Sequence, residues 1–533
     1  MNKISLNGQW KLKGTSPEGE SFDINADVPG STLNAVLNSD VEKNLDVFYR
    51  DNAEKVQKYE NYSWIYSKTF EIEDADKKLM LVFERLDTYC DIYINDKHLA
   101  FCDNGFIPHK FDITEFVIKG ENSINIYFYS PITKVVGKKE KGFCAFATYE
   151  RIYTRREQCT YGWDWAMRFV TCGIGSAYIE EVDAEMKVES AYVYTKSIDE
   201  DSAEVVIDID FKDFEYGGIV DINITDPDGN VVAKHSRYNE EAFMRINLDI
   251  ENPRLWYPIG YGNAELYKME IKCEDKVLCS ESFGIRTVKI MELSDKEGSE
   301  NYNKCIELKK TPFSEAYDKN ESFSGFILKI NGKKIMCKGA NWVPCEPFAK
   351  GNTDKKVTEI LELAKNAGVN MIRVWGGGKF ETEHFYDECS RLGIMVTQDF
   401  LMACALYPED EKWFLNQLKK EAEYAVDFLR NKACLVWWSG DNENAVRGSD
   451  TDTDYRGRAS AYKAIAPVIY KKDCNRRFLA SSPYGGSLYA SNTKGTTHNT
   501  QFLGYFFDWK NTTNLKNRPF GIHFRSKSTP NLK

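Results

Sequence analysis

Asn442 and Glu443 follow directly on the run Val436-Trp437-Trp438-Ser439-Gly440-Asp441. A carboxyl group just past an apolar strand can protonate a departing glycosidic oxygen, and the amide beside it can hydrogen-bond a sugar hydroxyl. In an exposed loop the same two residues carry no chemistry. The choice between these readings rests on the elements that position the pair.

After Phe323 the pattern is one of alternating helices and strands. Val357, Ile360, Leu361, Ala364 and Ala367 recur at helical spacing, Gly368 sits where a helix C-cap belongs, and the buried-strand run Met371-Ile372-Arg373-Val374-Trp375 follows. The step repeats with a helix over 383–392 before Ile394-Met395-Val396-Thr397, a helix over 411–430 before Cys434-Leu435-Val436-Trp437-Trp438, and a helix over 459–471 before Phe478-Leu479-Ala480-Ser481. With Lys334-Ile335-Met336-Cys337 as the opening strand, five parallel strands are predicted, as in a (β/α)8 TIM barrel. Catalytic groups in that fold sit at the C-terminal strand ends, which selects Asn341, Arg373, Trp375, Asp399, Asn442 and Glu443. An arginine on a buried strand also needs a carboxylate partner.

Upstream, short alternating runs such as Leu79-Met80-Leu81-Val82-Phe83 and Cys90-Asp91-Ile92-Tyr93-Ile94 predict an antiparallel β-sandwich over residues 1–182. A second β-rich stretch, 183–290, contains Val205 to Phe211 and the turn Asp226-Pro227-Asp228-Gly229, at the spacing of an immunoglobulin-like β-sandwich. Residues 291–533 are assigned to the barrel, with a polar stretch between Glu292 and Glu321. The net charge of -11 argues against nucleic acid as a partner, and the run Lys138-Lys139-Glu140-Lys141 is too short to offset it. No stretch approaches the roughly 18 apolar residues of a membrane span, and the first residues lack a signal-peptide core, so the cytoplasm is the expected compartment. Fourteen scattered cysteines without C-x-x-C pairs read as reduced thiols, and the six histidines form no metal-ligand pattern.

The motifs resemble glycoside hydrolase family 2, and within it the β-mannosidases. Leu6-Asn7-Gly8-Gln9-Trp10 is similar to the start of that family's sugar-binding jelly roll, Leu86 to Asp91 to its recurrent strand-turn motif, and Asn252-Pro253-Arg254-Leu255-Trp256-Tyr257-Pro258 with Phe283-Gly284-Ile285-Arg286 to the exit of its immunoglobulin-like domain. Lys338-Gly339-Ala340-Asn341-Trp342, Arg373 to Gly378, and Gln398-Asp399-Phe400 to Pro408 resemble the barrel, and Gln158 to Trp165 favours the β-mannosidase branch. The resemblance implies an exo-acting retaining hydrolase of terminal β-mannose, its partner a β-mannoside oligosaccharide, working without cofactor or metal. Glu443 would be the acid/base, Asn442 would meet the sugar 2-hydroxyl, Arg373 would contact the nucleophile, and Trp163 and Asp164 would reach into the mannose pocket. A packed aromatic corner for Trp163-Asp164-Trp165 and a tight turn for Trp375-Gly376-Gly377-Gly378 are the plainer readings. Thr397 departs from the family, which has tryptophan there.

A retaining enzyme needs a second carboxyl group about 5 to 5.5 Å from the first. Glu443 is the last glutamate of the sequence, and the family's seventh-strand motif aligns His523 with the nucleophile. The expectation is therefore a truncated or frameshifted chain with an incomplete barrel, defective in turnover. A sugar-binding protein without catalysis and another family 2 exo-glycosidase, such as an exo-β-glucosaminidase, are the alternatives. With no neighbouring carboxylate, Glu443 is expected to titrate near the ordinary value of about 4.3.

Overall fold

The computed structural model describes residues 3–139, 141–146, 148–182, 186–212, 217–274, 276–294, 296–300, 302–303, 324–348, 351, 353–444, 457–484, 495–496 and 498. The first 182 residues build a six-stranded antiparallel sheet facing a four-stranded one, with a small three-stranded sheet beside them. Strand Gly8–Thr15 shows why: Trp10 and Leu12 point inward while Lys11 and Lys13 point out, the two-residue period of a half-buried strand. Trp64, Tyr66, Leu81, Phe83, Ile92 and Ile126 fill the space between the sheets. The predicted strands appear as Lys78–Phe83 and Cys90–Ile94.

Residues 187–283 form a three-stranded and a four-stranded antiparallel sheet around Val205, Ile207, Ile222, Ile224 and Met269. The predicted turn is an Asx turn in which Asp228 N donates to Asp226 Oδ1 at 3.0 Å, and Gly229 takes φ +90°. Strand Val288–Ser294 then pairs with Ser324–Ile330, so the boundary placed at residue 290 falls inside a strand.

The expected opening strand needs correction. Lys333–Ile335 is the return arm of a hairpin, antiparallel to Leu328–Ile330, because Asn331 and Gly332, both at positive φ, turn the chain back sharply. The first parallel strand lies further on, at β1 (Gly339–Trp342). It is followed by α1 (Asp354–Asn366), β2 (Met371–Val374), α2 (Glu383–Leu392), β3 (Met395–Asp399), α3 (Lys412–Leu429), β4 (Leu435–Ser439), α4 (Ala466–Lys472) and β5 (Arg477–Leu479). The strands lie in the order β1-β2-β3-β4-β5, all parallel. Thr353 and Thr382 cap α1 and α2 by accepting from Lys356 N and Phe385 N, and Gly393 ends α2 at φ +75°. Phe385, Tyr386, Leu418, Val426 and Trp438 are fully buried between helices and sheet. Truncating one such aromatic to alanine costs about 3–5 kcal/mol.

The first sandwich is clamped to this sheet by buried charge. Arg155 donates from Nε and Nη2 to Glu421 of α3 at 2.8 and 2.7 Å, and Asn104 Nδ2 adds a bond at 2.9 Å. Both charged side chains are essentially inaccessible to water, so neither tolerates loss of the other. The clamp brings the segment around Trp163 to the C-terminal ends of the barrel strands.

Candidate active site

The ends of β2, β3 and β4 converge on one guanidinium. Arg373 on β2 donates from Nη2 to Asp399 Oδ2 at 2.5 Å and to Asn442 Oδ1 at 2.8 Å, from Nε to Asp399 Oδ1 at 3.3 Å, and from Nη1 to Asn341 Oδ1 at 3.3 Å. The carboxylate partner that the sequence demanded is therefore Asp399, which also accepts from Gly376 N at 3.1 Å. Burial pushes the Asp399 carboxyl up to about 6, against the opposing pull of Arg373. A Cβ on Gly376 would lie 2.5 Å from the Met402 carbonyl oxygen, so only glycine allows the two backbones this approach.

Glu443 sits one residue beyond, in the left-handed region at φ +58°, with Glu443 N bonded to Ser482 O at 2.9 Å. A non-glycine residue held there marks backbone that the surrounding contacts impose. The side chain is one-third exposed, and its two oxygens have separate partners: Cys404 Sγ donates to Oε2 at 3.3 Å, and His498 Nδ1 lies 2.5 Å from Oε1. Burial alone would raise the Glu443 carboxyl, but the contacts with His498 outweigh it, aided by Cys404 and Arg373, and lower it to about 2. The expectation of an ordinary value is thereby corrected. Only burial raises this acid, and His498, which the sequence shows only as one scattered histidine, lowers it by more.

The loop carrying Cys404 is fixed from the first sandwich. Buried Arg151 donates to Ala403 O at 2.7 Å and to Cys404 O at 3.1 Å, and its guanidinium lies 5.1 Å from the centre of the Trp163 ring. Trp163 meets Trp375 edge to face at 4.9 Å, and Trp165 reaches the same ring at 5.7 Å, so the aromatic corner is shared between sandwich and barrel. Asp164 beside them is exposed and has no hydrogen-bond partner among the described residues. Six strand-end residues named from sequence, Asn341, Arg373, Trp375, Asp399, Asn442 and Glu443, thus come together with Trp163. Position 523 lies outside the described residues.

Arg151, Cys404, His498 and Asp441 join the site without a strand-end motif that names them. Asp441 is fully buried, accepts from Ser481 Oγ at 2.6 Å, and is pushed up by burial to about 8. Its signal was in the sequence, a third polar residue at the end of β4; the others are brought in by distant segments. Among the described residues, no three His, Cys, Asp or Glu side chains are grouped to hold a metal ion.

Residues 10–176 match the family model described as glycosyl hydrolase 2 galactose-binding domain-like, and residues 186–286 match the model of glycosyl hydrolases family 2. The chain is 30% identical to a β-mannosidase of Bos taurus, over 91% of this chain and 56% of that protein, and 26% identical to β-mannosidase B of Aspergillus clavatus, over 93% and 59%. It spans little more than half the length of these relatives. The crystal structure of a β-D-mannosidase from Dictyoglomus thermophilum superposes with a TM-score of 0.82 at 30% identity, over 94% of this chain and 60% of that one. An exo-chitosanase of Amycolatopsis orientalis, at 15% identity and a TM-score of 0.62, shares the fold. Together the two models cover half of the sequence, and the chain belongs to glycoside hydrolase family 2.

Proposed function

We propose that this chain supplies the sugar pocket and the acid/base half of an exo-acting retaining β-mannosidase, whose substrate is a terminal β-mannoside of an oligosaccharide. The observation carrying this reading is the convergence of Arg373, Asn442 and Glu443 at the strand ends, with Trp375 at the end of β2 in edge-to-face contact with Trp163. Glu443 is the acid/base: it gives its proton to the leaving oxygen and then takes one from water. Asn442, oriented by Arg373, meets the 2-hydroxyl, whose axial placement distinguishes mannose from glucose. Trp163, Trp375 and Asp164 wall the pocket, and Asp399 and Asn341 hold Arg373. No described carboxylate is placed as nucleophile: Asp399 is committed to Arg373, and Asp441 points to Ser481. The buried thiols Cys389, Cys404 and Cys434 suit a reducing, cytoplasmic setting.

A second reading rests on the Glu443–His498 pair. A carboxylate held at about 2 is ionised at neutral pH and has no proton to give, which favours mannose binding without turnover. Calorimetry with mannose and release of an aryl group from a β-mannoside separate the two. Under the first reading, aryl β-mannoside is hydrolysed once a nucleophile carboxylate completes the pair, and Glu443→Gln then lowers that rate about 10²- to 10⁴-fold. Under the second, both forms bind mannose and neither releases the aryl group. Preference for an aryl galactoside or glucosaminide would defeat the mannoside assignment.

A further inference from the structure

The underside of the same sheet carries a second candidate site. A cavity of about 470 Å3 lies where the second sandwich meets the N-terminal end of β4, a size ordinary for small-molecule sites. Its charged lining consists of Lys196, Arg286, Lys289, Lys329, Arg430 and Arg476, with no carboxylate among the described lining residues. Three of these cations are compensated from outside the lining: Lys196 by Glu204 at 2.9 Å, Arg430 by Asp427 at 3.3 Å, and Arg476 by Asp473 at 3.0 Å. Asp473 is already shared, accepting also from Tyr192 and Trp438.

Arg286, Lys289 and Lys329 have no carboxylate partner among the described residues. The strand register places Lys289 directly opposite Lys329, a like-charge pair that costs stability unless an anion lies between. Arg286 is buried, with its Nη2 donating to Leu435 O at 2.5 Å, and Arg476 Nε donates to the same carbonyl at 2.8 Å. Two guanidinium groups thus converge on one neutral acceptor. Burial first, and the Arg476 charge second, push the Arg286 guanidinium down to about 9, and the opposing pull of Asp473, which is already shared, does not offset them. Beside these cations the rings of Tyr192 and Tyr194, 4.9 Å apart, offer an apolar wall with a polar edge.

The geometry points to a binding site for a phosphate- or sulfate-type oxyanion in this cavity, separate from the sugar pocket. Arginine forks and lysine ammonium groups are the donors such oxyanions take, and the uncompensated charge matches a multiply charged ligand.

Calorimetric titration of the chain with inorganic phosphate, at ionic strength fixed with chloride, tests this. Saturable one-site binding is expected, weakened at least tenfold in the double variant Lys289→Gln, Lys329→Gln. Both lysines retain contact with water, so their replacement leaves the fold intact, which circular dichroism checks. A parallel titration with a hexose 6-phosphate separates the sources: tighter binding assigns the site to a phosphorylated sugar, equal binding to the free oxyanion, and either supports it. Absence of saturable phosphate binding, or equal affinity in the parent and the double variant, overturns it.

Discussion

The two ends of the five-stranded sheet differ in the sign of what they bury. At the C-terminal end, Arg373 is surrounded by Asp399 and Asn442, with Asp441 and Glu443 on either side of Asn442 in the chain. At the N-terminal end, Arg286, Arg430 and Arg476 gather with lysines around a cavity that no described carboxylate lines. The strands are common to both ends, so neither the fold nor its hydrophobic core dictates the contrast. One end sets carboxyl groups around a paired arginine, and at the other Arg286, Lys289 and Lys329 lack a carboxylate partner among the described residues.

The strongest way to break this contrast is Arg373→Ala. Removing the cation strands the fully buried Asp399, and a loss of about 3–5 kcal/mol is expected in urea unfolding. Lys289→Ala at the opposite end should change stability by less than about 0.5 kcal/mol. Equal effects of the two would erase the distinction.

Asp441 sharpens it through pH. Its folded carboxyl titrates at about 8, against about 3.9 when unfolded, so between these values the folded chain holds a proton that the unfolded chain has released. Stability therefore falls as pH rises from about 4 to about 8. Asp441→Asn removes this dependence, and its melting temperature should exceed the parent's at pH 8 and match it near pH 4, at about 2–4 °C per kcal/mol. A gap independent of pH would contradict the assignment.

His498→Gln acts in the opposite direction. Glu443 is lowered to about 2 in the folded chain, so the pair contributes stability above the unfolded pKa of about 4.3 and loses it as pH falls through about 2. The variant should titrate Glu443 at a higher pH, read by carbon NMR of labelled glutamate, and should be less stable than the parent at pH 6 but not below pH 2. An unmoved Glu443 would mean that His498 does not set its charge.

A small effect of opposite sign is expected of Lys289→Glu, which turns a like-charge cross-strand pair with Lys329 into an opposite one. A gain of about 0.2–1 kcal/mol is expected without phosphate, together with loss of phosphate binding.

Local pattern carries most of the architecture. The two-residue alternation of strands such as Gly8–Thr15, the threonine and glycine caps of α1 and α2, and the helix-strand alternation after residue 353 follow from short-range periodicity, which a sequence displays directly. The same rule nominated the strand-end residues, because strands in parallel register present their ends together. It misplaced the opening strand, since Lys333–Ile335 and β1 are both short, and only the Asn331-Gly332 turn tells which one pairs backwards. The partners that decide the chemistry lie beyond any such rule. Cys404 and Glu443 are 39 residues apart, His498 and Glu443 55, and Arg151 and Ala403 252. The cationic cavity likewise draws on residues from Tyr192 to Arg476. Sequence by itself determined which groups stand at the ends of strands; tertiary structure alone decided their charge states, because a pKa is set by burial and by neighbours a few ångströms away in space, wherever those neighbours fall along the chain.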